Sequence, residues 1–141
     1  MTINYIAILI CGIASMIIGS LWYGPLFGKP FMKATGGCDP SKISPEEMQK
    51  MKSQMKGLYS IQFVLSLISA LVLSVHIQNW TAGTSGVAIA VCTWFGFVMT
   101  TNAGACLWRG KSKNDSWTMF LISSGCQLVT FIAFGLILSA W

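Results

Sequence analysis

The chain predicts an all-α integral membrane fold of four transmembrane helices, and three observations carry that prediction. All nine Lys and Arg residues fall in two short stretches, Lys29 to Lys56 and Arg109 to Lys113. The four acids, Asp39, Glu46, Glu47 and Asp115, lie within or beside the same stretches, so the long segments elsewhere hold no formal charge. Of the 141 residues, 54% are hydrophobic and 9% charged, whereas soluble domains carry about 25% charged residues. A water-soluble fold of this size would lack the polar groups to cover its surface. The whole chain, 1–141, therefore reads as one four-helix transmembrane domain.

The first span is expected at about 3–23, long enough at ~1.5 Å per residue to cross a hydrocarbon core of roughly 30 Å. No basic residue precedes it. A cleavable leader would carry one there and would have a shorter apolar run, so the segment reads as a retained helix. It is expected to stop at an interfacial turn, Trp22-Tyr23-Gly24-Pro25, in which two aromatics meet the headgroups and Gly and Pro end the helix. The remaining spans are expected at about 58–78, 85–108 and 117–140. Trp22, Trp80, Trp108, Trp117 and Trp141 mark their boundaries as an aromatic belt, while Trp94 alone sits well inside a span.

The first connection, after a flexible loop expected over Lys33 to Ser41, holds a helix of its own at about 45–56. Ser44 reads as its N-cap, Pro45 as its first residue and Glu47 as the closing member of a capping box. Met48, Met51 and Met55 then recur at helical spacing, with Lys50, Lys52 and Lys56 on other faces. The pattern predicts an amphipathic helix at the cytoplasmic interface, lysines toward the headgroups, bending at Gly57 into the second span. Six basic residues lie in the first connection and three in the third. The positive-inside rule then places both basic loops in the cytoplasm and both termini outside, in the cell (inner) membrane. The net charge of +5 is spread over these loops and reads as lipid contact, not as a nucleic-acid surface.

Within the spans, chemistry rests on uncharged polar groups. Gln62, Asn102 and Gln127 are the amides, accompanied by Thr100, Thr101, Ser123 and Ser124. An amide without a partner is costly in hydrocarbon, so these side chains should face one another or a wet cavity. They serve either as interhelical glue or as a polar pocket toward the cytoplasmic side. Small residues recur every fourth position at Ser15 and Gly19, at Ser66, Ala70 and Ser74, at Gly96, Thr100 and Gly104, and at Gly135 and Ser139. Such stripes let helix backbones approach closely, within a subunit or between subunits. Leu21-Trp22-Tyr23-Gly24 and Leu107-Trp108-Arg109-Gly110 echo each other at the ends of spans one and three.

Proton relays and ion-coupled carriers usually hold an acid or base at mid-membrane, and no span has one. His76 is the single histidine, near the outer boundary and without a carboxylate partner, so no metal site, triad or other catalytic residue is read from it. The five cysteines show no CxxC pair. Met48, Met51 and Met55 could act as soft copper ligands, but the same spacing is explained by an apolar helix face. No cofactor and no metal is expected.

Trp22-Tyr23-Gly24-Pro25-Leu26-Phe27-Gly28-Lys29 resembles the signature of a small bacterial membrane family, the domain of unknown function family 1761. The second half is similar too, through Phe97, Thr100-Thr101-Asn102, Gly125-Cys126-Gln127-Leu128-Val129, Gly135 and Trp141. The resemblance implies a four-span architecture and brings no established activity. The chain departs from the family pattern at Gly24, where Ser is common, and at Gln127, where His is frequent.

Two functional readings stay open. One is a non-enzymatic, oligomeric component that binds or passes a small solute through the Gln62, Asn102 and Gln127 set. The other is a membrane-organising or partner-binding subunit that transports nothing and works through the amphipathic helix. The expected partners are the lipid bilayer, further copies of the chain and a small solute.

Overall fold

A computed structural model describes residues 3–35, 44–80, 83–108 and 113–141, with side chains for all of these except 47, 48, 50–56 and 107. Most of the described residues are helical, with no strand among them. The elements in chain order are α1 (Tyr5–Leu21), a π-helix π1 (Trp22–Leu26), α2 (Gly28–Thr35), α3 (Pro45–Asn79), α4 (Gly86–Thr93), a second π-helix π2 (Trp94–Met99), α5 (Thr100–Leu107) and α6 (Lys113–Ala140). Among the described residues, four helical stretches are long and apolar enough to cross a membrane: Tyr5–Leu26, Gly57–Asn79, Gly86–Cys106 and Lys113–Ala140.

Local chemistry fixes the helix starts. Asn4 caps α1, its side-chain carbonyl accepting from the Ile6 and Ala7 amides at 3.1 and 3.2 Å. Ser85 caps α4, its hydroxyl accepting from the Ala88 amide at 3.1 Å. Both satisfy amides that the first helical turn leaves without a partner. Between α3 and α4 the chain turns through Gly83, at φ 101, a conformation that glycine adopts without steric cost.

Two expectations about the first connection are corrected. Trp22-Tyr23-Gly24-Pro25 is not a helix-ending turn but the body of π1, which carries the first span on to Leu26. The Phe27 amide donates to the Trp22 carbonyl at 2.8 Å, five residues back. Local widening of this kind lets a membrane helix tolerate a proline, which has no amide hydrogen to give. The helix stops at Phe27, whose φ of −124 and ψ of 10 leave the helical region. At once α2 begins at Gly28, where a Cβ would lie 2.6 Å from the Tyr23 carbonyl oxygen. Helix α2 therefore covers Lys33 to Thr35, the first part of the segment expected to be a loop. The rest of that loop, with Cys38 and Asp39, lies outside the described residues.

The helix expected at 45–56 and the second span form one uninterrupted helix, α3, which runs through Gly57. The side chains of Met48, Met51 and Met55, and of Lys50, Lys52 and Lys56, lie outside the described residues, as do Arg109 and Lys111 of the third connection.

Helix α6 is the hub of the packing and touches every other α-helix and π2. A dry core of Ile8, Cys11, Ala70, Leu73, Ala90 and Phe134 joins α1, α3, α4 and α6. Glycines bring these helices close. A Cβ at Gly135 would sit 2.8 Å from the Val87 Cα and 2.9 Å from the Gly86 carbonyl oxygen, and one at Gly12 would sit 2.7 Å from Leu67. Ser66, Ala70 and Ser74 of the α3 stripe are buried. At Gly96 and Gly104, by contrast, an added Cβ would meet nothing within 4 Å.

Candidate functional site

The polar groups of the spans converge on one short stretch of α6, Ile122-Ser123-Ser124-Gly125-Cys126-Gln127, roughly midway along that helix. Two indoles hold it. The Trp22 Nε1–H of π1 donates to the Ile122 carbonyl at 2.9 Å, and the Trp94 Nε1–H of π2 donates to the Ser124 carbonyl at 3.1 Å. A carbonyl oxygen has two lone pairs, so it can take an indole hydrogen without giving up its own helical bond. Gly125 makes room for the first indole, since a Cβ there would lie 3.1 Å from the Trp22 ring. An indole N–H turned away from water needs an acceptor, and α6 supplies one to each.

Each π-helix begins with its tryptophan, in the sequences Trp22-Tyr23-Gly24 and Trp94-Phe95-Gly96. Trp-aromatic-Gly thus recurs at positions 22 and 94, at the start of each π-helix. Trp108 follows the end of α5 and is 90% exposed. Trp80, Trp117 and Trp141 are likewise exposed, whereas Trp22 and Trp94 are half-buried. A lone tryptophan well inside a span was the available signal for Trp94. The role of Trp22 was hidden by its position beside a proline, which reads as a boundary. Single-turn π segments inside α-helices are rare and frequent at functional sites.

Neighbouring side chains complete the collar. The Tyr23 hydroxyl interacts with the side chains of Ser123 and Cys126, and the Tyr23 ring meets Phe31 of α2 edge-on at 4.8 Å. The Trp22 ring lies 4.8 Å from Phe27. Asn102 of α5 donates from Nδ2 to Gln127 Oε1, and to the Ser124 hydroxyl at 3.4 Å. Ser124 is buried, Asn102 half-buried and Gln127 exposed. The pair thus sits on the seam between α5 and α6, open on one side.

Other polar residues of the spans are engaged elsewhere. Thr100 donates to the Gly96 carbonyl at 2.7 Å and Thr101 to the Phe97 carbonyl at 2.5 Å, each within its own helical stretch. Gln62 is exposed on α3 and takes no part in the hydrogen bonds of Asn102 and Gln127. The three amides therefore do not form one set; two of them pair and the third stands on another helix. Among the described residues, no buried side-chain nitrogen or oxygen lacks a partner, and no group of three His, Cys, Asp or Glu residues is placed to hold a metal.

The two indoles and the amide seam come from stretches without formal charge, since Tyr5 to Gly28, Gly57 to Trp108 and Ser116 to Trp141 include no Asp, Glu, Lys or Arg. Its chemistry is neutral hydrogen bonding, between amides, hydroxyls, indoles and backbone carbonyls. No curated protein and no solved structure matches this chain. The model of the family described as "Protein of unknown function (DUF1761)" matches residues 6–139, nearly the whole chain, and the chain belongs to that family.

Proposed function

We propose that this chain is a non-enzymatic, multi-pass inner-membrane component that binds or passes a small solute as an oligomer, with the Asn102–Gln127 seam as its contact. The observation that carries this reading is the seam itself. Two amides bond to each other, Gln127 near the middle of its span and Asn102 four residues before the end of its own, and one side of the pair is not covered by the protomer. Interhelical glue needs no open side, because its polar groups are spent on each other. In hydrocarbon the free side would be costly. A solute or a second protomer closing around one relieves that cost. The orientation follows the charges, with basic connections in the cytoplasm and both termini outside.

The test is a solute uptake and efflux screen in cells making wild type, Asn102→Leu or Gln127→Met, with Gln62→Leu as comparator. Either seam substitution is expected to abolish the wild-type flux, while Gln62→Leu leaves it intact. Unchanged flux in both seam variants, at equal protein levels in the membrane, would sink the proposal.

A further inference from the structure

We infer that the ligand of the Asn102–Gln127 seam is a small neutral molecule with a hydrogen-bond acceptor and a hydrogen-bond donor, the chemistry of a carboxamide or a urea. The inference rests on the proposed solute role of the seam and narrows it to a chemical class. It comes from counting what the two side chains have left to offer.

Each primary amide carries two N–H donors and one carbonyl acceptor. Asn102 directs its Nδ2 to Gln127 Oε1 and to the Ser124 hydroxyl, which uses both of its donors. What remains is the Asn102 carbonyl oxygen and the Gln127 NH2 group. Turning both amides over gives the same balance, one free carbonyl and one free NH2. A molecule that takes up both groups must accept from one side chain and donate to the other. A carboxamide does this with its own carbonyl and N–H.

The surroundings narrow the class further. Thr100, Thr101 and Thr130 direct their hydroxyls to carbonyls of Gly96, Phe97 and Cys126, so these nearby hydroxyls do not extend the donor set. The helices that carry the seam hold no charged residue from Gly86 to Trp108 or from Ser116 to Trp141. An ion brought to this depth would have no counter-charge, at a cost of several kcal/mol or more. A neutral molecule would not meet that barrier. Gln127 is exposed and Asn102 half-buried, so a ligand reaches the free groups without a helix having to part.

The test uses the chain labelled with nitrogen-15 in lipid nanodiscs, with the Gln127 Nε2H2 resonance followed by NMR. Acetamide and urea are the neutral probes; sodium acetate and tetramethylammonium chloride are their ionic counterparts of similar size. A saturable shift with acetamide and urea, and none with either salt at equal concentration, is expected. Asn102→Leu should weaken the acetamide response about tenfold, the equivalent of one lost hydrogen bond. The comparison of acetamide with the salts is made on wild type, so it stands even where a variant does not fold. Equal shifts with a salt would overturn the neutral class while leaving the seam as a binding site. No shift with any probe would overturn both the class and the solute reading of the seam.

Discussion

At the scale of single residues, the collar separates side chains that a list of polar positions treats alike. Asn102 and Gln127 could be named from the sequence because an amide stands out in an apolar run. Which amides meet could not, because pairing depends on the rotation of each helix. Rotation is not the whole of it: Gln62 stands eleven residues, about three turns, before the buried Leu73 and so shares that face of α3, yet it is exposed. The indole clamps were illegible for a different reason: their acceptors are backbone carbonyls of Ile122 and Ser124, which no side-chain pattern announces. They also carry the clearest prediction at this scale. Trp94→Phe keeps an aromatic ring and deletes one donor, so it is expected to cost about 1 kcal/mol, the net value of a single hydrogen bond. Trp22→Phe should cost a similar amount, and the double variant roughly the sum if the two clamps act independently. Unfolding in mixed detergent, followed by tryptophan fluorescence and circular dichroism, measures all three. A loss near zero for both single variants would show that the clamps do not hold α6 in place.

Among the elements, helix packing depends on which glycines face protein. All the small-residue stripes look alike in sequence, and only the packed structure sorts them. Gly135 lies against the backbone of α4, with the Val87 Cα and the Gly86 carbonyl oxygen inside 3 Å of a would-be Cβ. Backbone cannot rotate aside as a side chain can, so Gly135→Ala must push α4 and α6 apart. Overpacking of this kind typically costs 1–3 kcal/mol, roughly. Gly96 has open space around it, and alanine is favoured over glycine within helices by about 1 kcal/mol. Gly96→Ala is therefore expected to be neutral or stabilising in the same detergent unfolding measurement. Equal losses at the two positions would contradict the packing of α4 on α6. The π-helices are elements that no hydrophobic period predicts, since a one-residue widening leaves the apolar character of the span unchanged. Only the recurrence of Trp-aromatic-Gly at 22–24 and 94–96 marks them in the sequence.

For the whole molecule, the all-helical fold and its four long apolar helices were readable because a bilayer dictates length and composition almost alone. The hub position of α6 was not, because adjacency in a membrane is decided by close packing and not by hydropathy. One feature ties the charge pattern to the fold. Helix α3 has 35 residues, about 52 Å at 1.5 Å per residue, against a hydrocarbon core of roughly 30 Å. Its apolar part is Gly57–Asn79, so the stretch from Pro45 to Lys56 continues past the core by about 18 Å at the same rise. That overhang holds Lys50, Lys52 and Lys56, while Lys29 and Lys33 lie in α2 and Lys113 opens α6. If four spans alternate in direction, all of these helix ends emerge on one side, and the positive-inside rule assigns that side to the cytoplasm. The chain termini then lie on the other side, with the dry core near them, since Ile8 and Phe134 are close to the outer ends of α1 and α6. Alkaline phosphatase is active only outside the cytoplasm, so fusing it behind Trp141 should give an active reporter. Fused at Gly37 or at Lys111, it should be inactive, and a green fluorescent protein at those two sites should fluoresce. The reverse pattern would invert the molecule and place Lys50, Lys52 and Lys56 outside. Activity at Trp141 and at Lys111 together would mean that α6 does not cross the membrane, and with it the placing of the Asn102–Gln127 seam within the membrane would be lost.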